Sequence, residues 1–253
     1  MISSGPLLSI TQQTENKLLS LSDESFQLAS GYFDEGNTGE PIQQNTHRVQ
    51  VGQPIGNFYG FKTVDIDEDG YWMIEGRDGE VKPIAEQQAD DKQIIGNGLP
   101  KSYLSWNNSL TYKNFDLNIL MRGAFGFQIL NMSDMFYSAP VMLTRGNLLT
   151  SAYDDIYGKR PVADDQSLQY VSYYIEEGDY WKIDNVTIGY NLNLQGEYLK
   201  TLRIYASGNN LYTFTGYSGI DPEVSINGLA PGIDNKNRYP STSTYTLGAF
   251  LTF

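Results

Sequence analysis

The sequence predicts an all-β chain in which several strands carry one apolar and one polar face. Three observations support this: apolar side chains recur at every second position, aromatic residues and glycine are abundant, and long irregular stretches separate paired strands. Of the 253 residues, 13% are aromatic and 25 are Gly. Aromatic side chains favour strands, and Gly marks tight turns and kinks. No stretch approaches the ~18 consecutive apolar residues of a membrane-spanning helix, so a helical membrane protein is excluded.

The last strand shows the alternation most clearly. Its apolar row runs through Tyr245, Leu247, Ala249, Leu251 and Phe253. Polar or small residues fill the other face, and only Phe250 breaks the pattern. Such a strand places one face against an apolar medium and the other against water or a polar lumen. The row and its terminal aromatic residue also resemble the assembly signal at the carboxy terminus of bacterial outer-membrane proteins.

Strands and long connections alternate before this ending. Four strands are predicted at 104–112, 115–125, 185–194 and 200–213. Tight turns at Lys113-Asn114 and Gln195–Tyr198 join them in pairs. Long irregular stretches occupy 67–101, 128–178 and 214–242. Short turns on one side and long loops on the other are typical of an outer-membrane barrel, whereas a soluble sandwich has mostly short connections. The sequence therefore predicts a transmembrane antiparallel β-barrel with long extracellular loops.

The first part of the chain gives weaker patterns. Strands are expected at 17–21, 48–51 and 58–64, with a turn at 52–56. About seven strands in all are too few for a barrel with such long loops, since small barrels have about eight or more. Met1 is not followed by a basic segment and an apolar stretch of secretory-signal length. The expectation is a carboxy-terminal fragment, residues 1–253, of a longer exported protein.

Charge and residue usage exclude several functions. The net charge of −13 and a sequence pI near 4.4 argue against nucleic acid as a partner. The absence of Cys removes disulfides and thiolate chemistry, and His47 is the only histidine. His47 is expected to be structural or exposed. Adjacent carboxylates such as Asp164-Asp165 are expected to be solvated loop charges, so no catalytic residue is predicted.

An acidic run raises the question of a calcium site. Asp65, Asp67 and Asp69 have the spacing of the first ligands of a calcium-binding loop. Gly76 occupies the position at which that loop needs a bidentate glutamate. An Asp-Gly hairpin turn without metal is therefore favoured over the calcium site.

Six segments of the chain together resemble one protein family. They are Gly52–Phe61, Ile95–Lys101, Tyr112–Leu117, Gly178–Asn185, Gly208–Thr215 and Gly219–Val224. In this order, with Phe253 at the end, they resemble the closing part of the SusC/RagA family, the TonB-linked outer-membrane transporters of Bacteroidetes. The resemblance extends from about residue 46 to the end of the chain.

The resemblance implies a function that the chain performs only as part of a whole. It implies an antiparallel barrel of about 22 strands, closed by an amino-terminal plug that is absent here. The family implies import of glycans or peptides through the outer membrane, with a SusD-like surface lipoprotein as partner. Energy comes from TonB, acting on the plug. The implied protein is not an enzyme and needs no cofactor.

Side chains around the last predicted loop are candidates for contact with substrate or with the lipoprotein. They are Tyr212, Phe214, Tyr217, Asp221, Glu223 and Tyr239. Tyr rings stack on sugar rings and on peptide side chains. An aromatic girdle at the membrane interface is the alternative. The girdle is favoured for Tyr212 and Phe214, whereas both interpretations stay open for Tyr217 and Tyr239.

A soluble protein remains the competing hypothesis. In an autonomous β-rich carbohydrate-binding protein, the same aromatic residues would form a lectin surface. The two hypotheses differ in the solubility of the isolated chain. Apolar rows such as Val186–Leu194 would make a barrel wall aggregate without detergent.

Overall fold

The computed structural model describes residues 2–4, 8–21, 30–194, 196 and 198–253. Its strands are β1 (Ile2–Ser4), β2 (Leu8–Gln13), β3 (Tyr32–Glu35), β4 (His47–Gln50), β5 (Asn57–Gly60), β6 (Lys62–Ile66), β7 (Trp72–Glu75), β8 (Val81–Pro83), β9 (Gln93–Asn97), β10 (Ser102–Tyr112), β11 (Phe115–Phe125), β12 (Gln128–Asn131), β13 (Ile175–Glu177), β14 (Tyr180–Asn193), β15 (Thr201–Thr215), β16 (Ile233–Asp234) and β17 (Thr244–Thr252). One α-helix, α1, spans Met132–Tyr137. Short 3-10 helices span Ile84–Glu86, Ala89–Asp91, Pro140–Thr144, Thr150–Tyr153 and Ser172–Tyr174.

Most long strands form one antiparallel sheet, which we name the wall sheet. Its order is β10, β11, β14, β15 and β17, and both β1 and β2 pair with the free edge of β10. The predicted strands at 104–112, 115–125, 185–194 and 200–213 are all present in it, some longer than expected. The all-β fold is thus confirmed. The predicted turn at Gln195–Tyr198 falls partly outside the described residues, because 195 and 197 are not described.

All the long connections leave the wall sheet at one end. At the short-turn end, Tyr112 pairs with Phe115 across the Lys113-Asn114 turn, where Lys113 has a φ of 54°. At the opposite end, Ser102 pairs with Phe125 and Tyr180 pairs with Thr215. The connections 14–101, 126–179 and 216–243 all start or finish at that second end. In the described part of the chain, no helix has the length and apolar character needed to cross a membrane.

The predicted irregular stretches instead fold into a body with its own core. Residues 30–101 and 126–179, which we name the loop head, contain two small sheets, β3-β4-β5-β9 and β6-β7-β8, and two strands of a third, β13-β12-β16. Side chains from both segments, including Phe58, Trp72 and Tyr170, are fully buried together. Each large apolar side chain buried in this way contributes about 1.5–3 kcal/mol. Period-2 patterns could not reveal this core because its strands are only three to five residues long.

Two expectations for the first part of the chain need correction, and two strands were not anticipated. Residues 17–21 are not a strand. The single strand expected at 58–64 is two strands, β5 and β6, since the chain changes sheets at Phe61, which bridges to Val171. The sequence patterns did not predict strands β2 and β3. Strand β2 is extended because it pairs with β10, which is distant in the chain.

Candidate functional site: the two faces of the wall sheet

The face of the wall sheet that bears polar side chains is cross-linked by hydrogen bonds, and we name it the inner face. Asn118 donates to the Oδ1 of Asn107 at 3.1 Å and to the hydroxyl of Ser109 at 2.8 Å. On the neighbouring strands, Asn185 donates to Ser207 at 3.1 Å. These contacts connect side chains of adjacent strands directly. The inner face is therefore hydrophilic but mostly self-satisfied, which suits a polar lumen.

An ion pair crosses three strands of the inner face. Arg203 on β15 donates two hydrogen bonds to Asp116 on β11, at 2.6 and 3.2 Å, and Asn191 adds a third at 2.8 Å. The pair passes over β14 at Gly189, where a Cβ would lie 2.6 Å from both the guanidinium and the carboxylate. A glycine in the middle of this strand is thus required by a close approach rather than by a turn.

A large ring also occupies the inner face and explains the one irregularity of the last strand. Phe250 lies on the inner face of β17 and stacks on Tyr205 of β15, with ring centroids 5.3 Å apart. The ring of Tyr205 lies over Gly248, where it fills the space that a Cβ would need. The ring of Phe250 is therefore packed against that of Tyr205 on the inner face.

The opposite face, which we name the outer face, is apolar and exposed. Ile188 and Ile204 are 49% and 51% exposed, and Leu247 is 85% exposed. Aromatic rings flank this apolar band on both sides. Phe115 contacts Tyr190 near the short-turn end, with centroids 4.6 Å apart. Bands of aromatic residues at the two membrane interfaces are a feature of outer-membrane barrels.

Tyr212 and Phe214 lie in the second aromatic band. They follow the outer face of β15 in register with Ile183 and Trp181. Their rings meet edge to face at a centroid distance of 4.7 Å, and both are at least half exposed. This position at the loop end of the sheet matches the girdle interpretation and lies away from the inner face.

A cluster of charges lies on the inner face near the loop end. Glu223, from the 216–243 connection, forms ion pairs with Arg122 on β11 and with Lys182 on β14. Arg122 also pairs with Asp184 at 3.1 Å. The hydroxyl of Tyr180 donates to Glu223 at 3.3 Å. Two cations and two carboxylates thus neutralise each other where the loop meets the wall.

The remaining contact candidates differ sharply in exposure. Tyr217 is buried and donates its hydroxyl to the Oδ2 of Asp234 at 2.7 Å. Asp221 is also buried and accepts from the backbone N–H of Glu223 at 2.9 Å. Both side chains hold the loop together, so neither is available for contact with a ligand. Tyr239, by contrast, is 83% exposed.

The acidic run forms a turn, and its carboxylates do not converge. Asp65 is paired with Lys159 at 2.5 Å. Asp67 accepts from the backbone N–H groups of Asp69 and Tyr71 at 3.0 and 2.8 Å, which closes the turn between β6 and β7. Among the described residues, no group of three potential metal ligands comes together. The expected Asp-Gly turn is present, and the hypothetical calcium site lacks its geometry because two carboxylates already have partners.

The terminal row continues the outer face to the edge of the sheet. Tyr245, Leu247, Ala249 and Leu251 pair in register with β15 and face outward. All four are exposed, and so is Phe253. Recognition of this row during assembly stays a prediction.

Several important side chains were not singled out from the sequence. Asp116 and Arg203 are far apart in the chain, and only the sheet register brings them together. Lys182 is the one charged group in the wall that is almost fully buried. A lysine inside an otherwise alternating strand was the available signal for it, but nothing indicated that Glu223 was its partner.

Comparison with known proteins places this geometry in a class. No family model matches the chain. The TonB-dependent receptor P3 of Formosa agariphila is 29% identical over 268 residues, which cover 95% of this chain and 26% of the receptor. The TonB-dependent receptor SusC of Bacteroides thetaiotaomicron is 28% identical over 94% of this chain and 23% of its own length. The chain thus spans about a quarter of the length of these relatives.

Solved structures show the same fold. The RagAB peptide importer in its 'open-open' state superposes with a TM-score of 0.75 at 19% identity, over 98% of this chain and 26% of the importer chain. Its 'closed-closed' state gives a TM-score of 0.72 at 21% identity, over 90% and 25% of the two chains. At this identity the likeness establishes the fold alone.

Over nearly its whole length the chain is therefore similar to part of proteins named as TonB-dependent receptors, and its fold is that of part of the RagAB importer. SusC of Bacteroides thetaiotaomicron is among these relatives, which agrees with the resemblance of the six sequence segments. The names of these relatives and solved structures are those of receptors and importers.

Proposed function

We propose that the chain forms the carboxy-terminal barrel wall and outer loops of an outer-membrane importer that takes up glycans or peptides. The importer is energised through TonB and works with a SusD-like surface lipoprotein. The observation that carries the proposal is the two-faced wall sheet, with an exposed apolar outer face and a hydrogen-bonded polar inner face.

The outer face supports a membrane environment. A row that includes Leu247 at 85% exposure and Leu251 at 52% would leave a large apolar surface in water. Exposed apolar patches of this extent mark membrane or protein interaction sites. The strands β14 and β15 have 14 and 15 residues, more than the ~10 that a tilted strand needs to cross the apolar layer. Lipid is therefore the medium that fits this face.

The inner face supports a hydrophilic path for a polar substrate. Its amide and hydroxyl groups are bonded mostly to one another, so a passing substrate meets weak and replaceable polar contacts. A related structure is that of a peptide importer. Both substrate classes of the family remain in the proposal, since no contact on the inner face distinguishes a glycan from a peptide.

The surface at the loop end supports contact with the lipoprotein. Tyr239 is 83% exposed, and Tyr153 and Leu143 of the loop head are 60% and 61% exposed. Amphipathic aromatic side chains of this kind are enriched at protein interfaces. Replacement of Tyr239 by Ala in the full transporter is expected to weaken lipoprotein binding. Unchanged affinity and uptake would remove Tyr239 from the proposal.

Cysteine labelling in intact cells tests the proposed function. In a full-length protein without other cysteines, and in cells that lack the lipoprotein so that this surface is uncovered, Tyr239→Cys should react with a membrane-impermeant maleimide added outside. Lys113→Cys, in the short turn at the other end, should react only after the outer membrane is opened. Uptake of the substrate should disappear in cells without the transporter and equally in cells without TonB. A Tyr239→Cys protein that is unreactive on intact cells, or is found in the soluble fraction, would contradict the proposal.

A further inference from the structure

The segment that joins β15 to β16 folds back over the wall sheet. Residues 216–234, which we name the strap, leave β15 after Thr215 at the loop end. Val224 of the strap is buried in a small core with Ala124 and Tyr180 of the inner face, and Tyr103 packs against it. The strap therefore turns toward the lumen, where it covers part of the inner face.

Glu223 holds the strap at its midpoint. Its carboxylate is paired with both Arg122 and Lys182, which lie two to three residues inside the loop end of their strands. Lys182 is only 3% exposed, so water does not replace this partner easily. Arg238 donates to the backbone carbonyl of Glu223. Ion pairs to a buried charge are costly to break, because the charge left behind loses its compensation.

The ends of the strap are fixed as well. Tyr217 is bonded to Asp234, so the first part of the strap is tied to its last residue. Ser218 is bonded to Glu176 of the loop head through both its backbone N–H and its hydroxyl, each at 2.8 Å. Pro231 and Gly232 are also bonded to the loop head, through His47 and Leu130, so the tip is the exposed segment 225–229.

The tip reaches across the inner face. The backbone N–H of Gly232 donates to Ser225 at 2.9 Å and closes a small hairpin. Ile226 in this hairpin lines a cavity of about 510 Å³ together with Ser105 on β10 and Ile10 on β2. The strap thus lies over β11 and β14 and faces β10 and β2 across this cavity.

We propose that the strap is a constriction of the transport path, which shields the inner face beneath it from the outside and limits the size of what can enter. Glu223 is the positioning residue that keeps the strap against the wall. The inference rests on the proposed function, since it requires the inner face to line an import path. It adds a size-selecting element that belongs to this chain.

The test measures access to the inner face in the full-length protein on intact cells. A cysteine at Ser105, under the strap, is treated with a small maleimide and with a maleimide carrying a polyethylene glycol chain of several kilodaltons. In the parent protein, the large reagent is expected to react at least tenfold more slowly than the small one. Glu223→Gln removes the charge from both ion pairs and should raise the large-reagent rate about tenfold. Glu177→Gln, which removes an exposed carboxylate of the loop head, should leave it unchanged.

A second variant keeps the test valid if Glu223→Gln is poorly assembled. Replacement of residues 226–230 by two glycines shortens the tip and leaves the ion pairs intact, and it should raise the same rate. If neither variant changes the large-reagent rate at Ser105→Cys, the constriction is refuted.

Tyr239→Cys serves as the reference in every variant. Normal labelling there shows that the protein is assembled with its loops outside. Normal labelling at Tyr239→Cys with no strap effect would refute only the inference, whereas absence of labelling would refute the proposed function itself.

Discussion

Acidification should loosen the loop head through His47. The imidazole is buried, with its Nε2 2.8 Å from the carbonyl oxygen of Pro231 and its Nδ1 2.8 Å from the Thr46 hydroxyl. Its ring packs on Phe58 at a centroid distance of 4.3 Å. A neutral ring that donates from Nε2 and accepts at Nδ1 satisfies both contacts. A charged ring could donate to the Pro231 carbonyl and to the Thr46 hydroxyl, but its charge would be buried without a counter-ion.

Burial lowers the pKa of His47 to about 4 from its ordinary 6.5, although the bond to Pro231 opposes the decrease. The unfolded segment therefore binds more protons than the folded one between these two values. Stability from the neutral ring is complete above pH 6.5 and is lost as the pH falls toward 4. Since one pKa unit corresponds to about 1.4 kcal/mol, the opening free energy should fall by about 3 kcal/mol. The open population should rise roughly a hundredfold.

Hydrogen exchange of the full-length protein in detergent is a suitable assay. Peptides that cover 47–50 and 225–232 are followed between pH 7 and pH 4, with rates corrected for the intrinsic pH dependence of exchange. The control is His47→Gln, whose amide can still donate to Pro231 but does not titrate. Carboxylates with raised pKa values, such as Asp134 and Asp234, titrate in both proteins and cancel in the comparison.

The comparison has a clear negative outcome. If the wild type and His47→Gln lose protection by the same factor between pH 6.5 and pH 4, the burial of a neutral His47 is not what makes the loop head acid-sensitive. If the wild type loses protection by a much larger factor than His47→Gln, the acid sensitivity of the loop head is due to the burial of a neutral His47.

Two further predictions concern packing in the wall and in the loop head. Gly189→Ala should push Arg203 and Asp116 apart and destabilise the barrel by about 1–3 kcal/mol, seen as a lower unfolding temperature. Gly216→Ala, where a Cβ meets nothing within 4 Å, is the matched control, and equal effects of the two would contradict the explanation. Trp72→Ala should cost the loop head about 3–5 kcal/mol and speed its proteolysis without changing the barrel transition. A lowered barrel transition would mean that head and wall unfold together.

The candidate site could be predicted only in part. The sequence indicated the loop between 214 and 242 and Glu223 within it. It predicted that Glu223 contacts the substrate or the lipoprotein. In the structure, the carboxylate of Glu223 is paired with Arg122 and Lys182, which are about 100 and 41 residues away in the chain. Separations of this size are decided by which strands are neighbours, and a single sequence does not show that.

Exposure separated two candidates that the sequence treated alike. Tyr217 and Tyr239 both follow a strand end, in polar segments. Tyr217 is buried because its ring packs against Gly219 and its hydroxyl donates to Asp234. Tyr239 has no comparable cover and stays exposed. Both segments are polar, and it is the folded path of the strap that buries one ring and not the other.

The sequence by itself determined the five long strands of the wall sheet, their two faces and the side from which the long loops emerge. It could do so because a strand's side chains alternate strictly, so a row such as Leu247 to Leu251 needs no partner to define its face. Only the tertiary structure decided that the loops share one core, that Gly189 makes room for an ion pair, and that the strap lies over the inner face. Those features depend on contacts between residues that are distant in the chain. Such contacts form, and stabilise the fold, only once the strands are in register.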